Sequence, residues 1–373
     1  MPEKFNSFLI INPFGIGDVV FSTPVIENLK KHFPQARLFY MCNKKVAPIF
    51  KGHPHIEKVF IYERDEFVAE QKKSFFKGIA KYLKFIGEIR RERIGCAIDL
   101  SLNPQFGFFA FLGGIKKRYG LDYKNRARFL NKKIRIEGFI DKHVADYYLD
   151  ALSLLDIPVV KYNLKVYSDK ESRSWAGEFL KKHGIGESDL IVGVAPCGGD
   201  AFGKDNHLKR WPPEYYASLI NRLKEELKPK VFIFAGPKEK NDVTGIMNLL
   251  KDKGDVFEFC DSTLPVTIAL VDRCRLFISN DTGILHFADG LDKKIVAFYG
   301  PIDEKVYGPY HADNKRAIIL KKDLSCRPCY NKFRLVPCRT DRECLKSISV
   351  DEAIDAVKKL LVSLDRNSEY ANT

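Results

Sequence analysis

Short runs of β-branched and aromatic residues recur along this chain, each followed by a polar or glycine-bearing turn and then by apolar residues at helical spacing. Residues 7–11 are the first such buried-strand run, followed by Asn12-Pro13-Phe14-Gly15-Ile16-Gly17-Asp18 and an apolar helical pattern through Val19, Val20, Pro24, Val25, Ile26 and Leu29. Strand, glycine loop and helix in that order open a doubly wound parallel sheet. Further strands are predicted at 36–41, 59–62, 96–100 and 118–121, with one long helix over 70–93 and a closing helix over 143–155. After an irregular crossover at 158–169 the pattern restarts. Strands at 190–195, 231–235, 256–259, 276–278 and 295–299 alternate with helices at 213–224 and 265–272, and a helix at 350–364 precedes a polar tail at 365–373. The reading is α/β: two Rossmann-like doubly wound domains, 1–160 and 161–350, with 351–373 as C-terminal helix and tail. Similar halves with their loops at strand carboxyl ends are expected to face each other across a central cleft.

In the second half the polar residues gather where strands end. One sheet edge collects Gly198, Lys209, Glu239, Asp281, Thr282, Gly283, His286 and Gly300. Within it, Asp281 or Thr282 can cap the helix that starts at Gly283, and the missing Cβ of Gly283 lets an anion approach the backbone amides. First-turn N–H groups and the helix dipole then suit a phosphate. His286, four residues after Thr282, shares that face and can donate to an anion or a sugar. Taken locally, the same stretch is an ordinary capped helix start. In the first half, Asp18 stands where the glycine loop becomes a helix. It is either a plain N-cap or a carboxylate presented as a general base. A dinucleotide fingerprint does not fit, because Gly15-x-Gly17 lacks the third glycine and strand 36–41 ends in Cys42-Asn43 without the ribose-binding acid.

Length and composition narrow the partners. A chain of 373 residues exceeds one ordinary core. With 45% hydrophobic and 29% charged residues it is globular, and no apolar run is long enough to span a membrane. The N-terminus lacks a signal peptide's apolar stretch, and nine cysteines, an odd count, point to reduced thiols in the cytosol. The net charge of +14 fits nucleic acid, an anionic membrane face or a phosphorylated small molecule. Between 116 and 135, Lys116, Lys117, Arg118, Lys124, Arg126, Arg128, Lys132, Lys133 and Arg135 stand against the single acid Asp122. No nucleic-acid-binding signature accompanies them, so no nucleic-acid partner is expected. The basic, aromatic-rich helix at 70–93 either lies on a membrane surface or buries its apolar stripe in the core, the commoner use of such a pattern. Finally, Cys326-x-x-Cys329 with Cys338 and Cys344 has metal-ligand spacing. A structural zinc or an iron–sulfur cluster is one reading, unligated thiols the other.

Five short motifs occur in order: Gly15-Ile-Gly-Asp18 with Thr23-Pro24, Lys209-Arg-Trp211-Pro212, Gly236-Pro237, Asn280-Asp281-Thr282-Gly283-x-x-His286 and Tyr299-Gly300-Pro301. In these the chain resembles the family 9 glycosyltransferases, the bacterial ADP-heptose:lipopolysaccharide heptosyltransferase family, over nearly its whole length. The resemblance implies a GT-B fold, an N-terminal acceptor domain, a C-terminal nucleotide-sugar domain, inversion at the anomeric carbon and no required metal; the sequence has no Asp-x-Asp pair. It implies Asp18 as base, with Gly15, Gly17 and Thr23 in the acceptor-side loop. Lys209 and the amides at Thr282 and Gly283 would neutralise departing ADP. Asp281 and His286 would meet the sugar, Glu239 the ribose or adenine, and Gly198 and Gly300 would belong to the donor loops. The implied partners are ADP-heptose and an anionic lipid-linked saccharide at the inner face of the cytoplasmic membrane, making the protein cytoplasmic and peripheral. Two other classes remain: a sugar-nucleotide epimerase on the same fold, and a non-catalytic basic nucleic-acid- or membrane-binding protein.

Overall fold

Helical returns bring each apolar run back to the same sheet edge, which makes successive strands parallel, and this happens twice along the chain. The computed structural model describes residues 5–199, 202–311 and 315–370. It divides into two compact units, Met1–Tyr162 and Asn163–Thr373.

The first unit pairs β1 (Ser7–Ile11), β2 (Arg37–Cys42), β3 (Ile56–Ile61), β4 (Cys96–Asp99), β5 (Lys117–Tyr123) and β6 (Lys132–Ile136) in the order β3-β2-β1-β4-β5-β6. All five residues of β1 are buried, and Ile11 is in register with Met41 on one side and Asp99 on the other. The order reverses beside β1, so the loops after β1 and β4 part at the carboxyl edge, where ligands of open α/β sheets bind. Helices α1 (Ile16–Phe21), α2 (Thr23–His32), α3 (Arg64–Lys73), α4 (Phe75–Arg91), α5 (Pro104–Leu112) and α6 (Val144–Asp150) accompany the sheet. Leu9, Ile11, Phe39, Met41, Phe85, Ile89 and Phe109 share one core.

Two helices expected as single pieces are broken. The helix after the glycine loop divides at Ser22, because Pro24 has no N–H to continue it and is suited only to a first turn. The Ser22 hydroxyl donates to the Val19 carbonyl at 2.7 Å and hydrogen-bonds the Tyr40 hydroxyl at 2.7 Å. The helix expected over 70–93 is α3 and α4, separated by extended Ser74, whose hydroxyl accepts from the Lys77 amide at 3.5 Å.

The second unit repeats the plan with β7 (Ile191–Ala195), β8 (Lys230–Phe234), β9 (Val256–Phe259), β10 (Leu276–Asn280), β11 (Lys294–Phe298) and β12 (Ala317–Leu320), ordered β12-β11-β10-β7-β8-β9. Around them run α7 (Lys170–Lys182), α8 (Pro213–Leu227), α9 (Lys240–Asn248), α10 (Leu264–Arg273), α11 (Gly283–Gly290), α12 (Glu304–Tyr307), α13 (Glu343–Lys346) and α14 (Val350–Tyr370). A two-stranded hairpin, β13 (Tyr330–Asn331) and β14 (Arg334–Leu335), precedes α13. The tail expected from 365 is helical through Tyr370, since no proline or glycine interrupts it, and residues 371–373 lie outside the described residues. Strands β6 and β12 and helices α5 and α7 had no counterpart in the hydrophobic pattern. No helix among the described residues is long and apolar enough to cross a membrane.

Candidate active site

Each sheet carries a loop cluster at its carboxyl edge. In the first unit, Asn12 sits at the end of β1 and folds its amide over the loop. Its Oδ1 accepts from the Phe14 amide at 3.2 Å, and its Nδ2 donates to the Asp18 carbonyl at 3.0 Å. From the end of β2, Asn43 donates to the carbonyls of Pro13 at 2.8 Å and Phe14 at 2.9 Å. Two asparagines therefore hold a loop that has few bonds of its own. Gly15 is the N-cap of α1, in extended conformation, and Gly17 and Asp18 are in its first turn. Asp18 is not the N-cap. Its side chain is half-buried, and the hydroxyl of buried Tyr148, on α6, donates to its Oδ1 at 3.2 Å. Thr23 takes a different place from the loop position expected of it. It is buried and donates to the Val20 carbonyl at 2.7 Å, because the break at Ser22 turns it inward. Asp99, at the end of β4, is a second carboxyl on this edge. Burial pushes its pKa up to about 6, although its Oδ1 accepts from the Ser101 amide at 2.9 Å.

In the second unit the best-defined contact is an ion pair. Lys209 Nζ lies 2.7 Å from Asp281 Oδ2, with both side chains nearly buried, and the ammonium also lies 5.1 Å from the Phe202 ring centre. Asp281 immediately precedes Thr282, the N-cap of α11, whose hydroxyl accepts from the Leu285 amide at 3.4 Å. A lysine, paired with Asp281, is thus held beside the amide end of a helix, the end whose dipole favours an anion. Glu239 is a fastener between loops. Its Oε1 accepts from the Gly199 amide at 2.9 Å and its Oε2 from the Gly236 amide at 3.0 Å, while Arg210 approaches at 3.6 Å. Gly198 leaves room for the Asn206 carbonyl, which would stand 2.4 Å from a Cβ. His286 is buried on α11. Gly300 is required by packing, since a Cβ there would lie 2.8 Å from Leu345 and 3.2 Å from Cys344 Sγ.

Several organising residues received no role from the pattern. Asn280 Oδ1 accepts from the Trp211 amide at 2.9 Å, and its Nδ2 donates to the Pro196 carbonyl at 2.7 Å, joining the loops after β7 and β10. Trp211 is fully buried, stacks on Phe298 at 4.2 Å and donates from Nε1 to the Ile348 carbonyl at 2.9 Å. Both lay inside the motifs that carried the resemblance, which was the available signal. Arg327, nearly buried, donates to the carbonyls of Gly300, Lys322 and Ile302 and pairs with Glu304 at 3.2 Å.

Residues 82–338 match the family model "Glycosyltransferase family 9 (heptosyltransferase)". The chain belongs to glycosyltransferase family 9. This glycosyltransferase is 25% identical to lipooligosaccharide heptosyltransferase 2 of Campylobacter jejuni over 94% of its own length and 96% of the relative's. Its fold is similar to that of a family 9 glycosyltransferase from Veillonella parvula, with a TM-score of 0.78, 24% identity, and coverage of 97% and 99% of the two chains. It is also similar to the Escherichia coli ADP-heptose lps heptosyltransferase II, with a TM-score of 0.74, 18% identity, and coverage of 96% and 99%. The GT-B class expected from the motifs is therefore that of this enzyme.

The zinc or cluster site suggested by cysteine spacing is not matched by a ligand set. Among the described residues, no group of three or more His, Cys, Asp or Glu side chains is placed to hold a metal ion. The sulfurs turn to local partners. Cys329 donates to the Cys326 carbonyl at 3.1 Å, Cys338 Sγ accepts from the Arg342 amide at 3.2 Å, and Cys344 is buried against Gly300. All nine cysteines are free.

Proposed function

We propose that this glycosyltransferase moves a heptose from ADP-heptose to a lipopolysaccharide-core or other lipid-linked saccharide, with inversion at the anomeric carbon and without a metal ion. The observation that carries the reading is the buried Lys209–Asp281 pair beside the amide end of α11. That combination suits a diphosphate whose charge grows as the sugar leaves. In this reading the second unit holds the donor and the first unit the acceptor.

Asp18 takes the proton of the acceptor hydroxyl. The freed oxygen pair forms the new bond to the anomeric carbon from the face opposite ADP, and the bond to the β-phosphate oxygen breaks with its electrons going to the diphosphate. Lys209 and the amides of Thr282 and Gly283 receive that charge, Asp281 orients Lys209 and meets sugar hydroxyls, and His286 borders the sugar. Glu239 acts from the loops it ties, next to the ribose. Gly15 and Gly17 keep the acceptor loop close to α1, and Gly198 does the same for the donor loops. The lipid-linked acceptor sets the working place at the cytoplasmic face of a membrane.

Titration of the purified protein with ADP, UDP, GDP and ADP-heptose in the absence of divalent metal tests the donor. Selective binding of ADP and ADP-heptose is expected, and selective binding of UDP or GDP would overturn the heptose assignment. The anomeric configuration of the product, read by NMR coupling constants, tests inversion.

A further inference from the structure

The α3–α4 hairpin turns two phenylalanines toward solvent. Phe75 and Phe76 are 61% and 82% exposed, and Ile79 and Leu83, at 40% and 66%, extend the stripe along α4. Positions 76, 79 and 83 fall on one side of the helix, while Phe85 and Ile89 take the side that enters the core. Helix α4 thus has two apolar faces, of which one is covered by the fold. The tip is built rather than loose. Ser74 caps α4, and Gly78 lets α3 lie so close that a Cβ would stand 2.8 Å from the Gln71 Cα.

The rim of this stripe is cationic. Lys72, Lys73, Lys77, Lys84 and Arg91 are exposed, and Glu88 is the only acid between residues 71 and 91. Lys73 shares its charge with Glu70 at 3.3 Å. The second basic stretch, at 116–135, is partly absorbed by the fold. Arg118 donates to the carbonyls of Phe129 at 2.6 Å and Lys116 at 3.1 Å, and Lys133 pairs with Asp122 at 3.1 Å. What covers the α4 stripe must therefore take up large apolar side chains and neutralise the lysines around them. A second copy of the same face would set cation against cation. An acidic lipid surface meets both needs.

We propose that the α3–α4 hairpin docks this enzyme on bilayers containing anionic phospholipid, with Phe75 and Phe76 entering the headgroup–acyl boundary and the lysines on headgroup phosphates. The proposal deepens the reading of a lipid-linked acceptor and rests on it for its purpose; the binding itself needs neither donor nor acceptor.

The test is flotation of the full chain with vesicles of phosphatidylcholine alone or mixed with phosphatidylglycerol. Wild type is compared with the double variants Phe75→Ser/Phe76→Ser and Lys72→Glu/Lys77→Glu. Wild type should float with the mixed vesicles, bind phosphatidylcholine weakly and be released by high salt. Each double variant should lose about tenfold or more in partitioning while keeping its melting temperature and ADP affinity. Wild type that stays behind, or variants that float equally well, would overturn the proposal. A concentration-dependent dimer broken by the phenylalanine variant, without vesicle binding, would put a second copy in place of the bilayer. Loss of ADP binding with flotation intact would count against the donor reading alone.

Discussion

Lys209 Nζ and Asp281 Oδ2 are 2.7 Å apart and nearly buried, so the loop before α8 and the loop before α11 are joined by opposite charges in a low-dielectric setting. Such a pair is costly to leave half-made. Lys209→Ala should destabilise the protein by about 3 kcal/mol and weaken ADP binding, because Asp281 would then repel the diphosphate. Lys209→Ala/Asp281→Ala should be more stable than the sum of the two single changes implies. Thermal unfolding with and without ADP measures both; additive effects would mean the pair is not coupled.

Asp18→Asn preserves the shape of the first turn of α1 and its contact with Tyr148 but cannot accept a proton. Turnover should fall roughly a hundred- to ten-thousand-fold with donor affinity unchanged. Tyr148→Phe removes only the donor to Asp18 Oδ1 and should give an intermediate loss. Steady-state kinetics paired with donor titration separates the two quantities. A large loss of donor affinity in Asp18→Asn would remove it from the role of base.

Asp99 predicts a dependence of stability on pH. Its folded pKa, about 6, lies above the usual 3.8 because burial disfavours the carboxylate. Below about pH 4 both folded and unfolded chains hold the proton, and Asp99 makes no difference. Between about 4 and 6 the unfolded chain releases it first, so stability falls as pH rises, and the penalty is complete above 6. Asp99→Asn should therefore stabilise the protein at pH 8 by up to about 3 kcal/mol and have little effect near pH 4. Melting temperatures of both proteins across this range provide the comparison; a gain that does not vary with pH would exclude the carboxyl as its source.

Trp211→Phe keeps a ring over Phe298 but leaves the buried Ile348 carbonyl without its donor. A loss of about 1–3 kcal/mol is expected in denaturant unfolding. The same variant should also weaken ADP binding, since the lost Nε1 bond anchors the residue whose backbone amide meets Asn280 just after Lys209, and without that anchor the chain there shifts. Unchanged ADP affinity would confine Trp211 to the core.

The central strands were legible because a strand buried on both faces must be a continuous apolar run, as β1, β8 and β10 are. Strand β6, Lys-Lys-Ile-Arg-Ile, has no such run, because an edge strand keeps one side toward water. Helix α5 is apolar nearly all round, so it has no amphipathic period to detect. The breaks at Ser22 and Ser74 escaped for another reason: apolar spacing persists across a turn that changes direction without changing register.

The motif residues themselves were legible in the chain, and so was a helix start at Gly283 capped by Asp281 or Thr282, of which Thr282 is the cap. That much followed from residue type and order alone, because strand–loop–helix units always deliver their loops to the carboxyl edge of a parallel sheet. Pairing was decided only by the tertiary structure. Seventy-two positions separate Lys209 from Asp281, and whether a lysine meets a carboxylate, a carbonyl or water depends on how β7 and β10 lie side by side. The same holds for Glu239, whose oxygens are taken by two loop amides, and for Thr23, whose hydroxyl turns inward. It holds equally for the cysteines, whose spacing suggested a ligand set that their sulfurs do not form. Sequence spacing restricts which side chains can reach a point, but packing density and hydrogen-bond satisfaction choose among them.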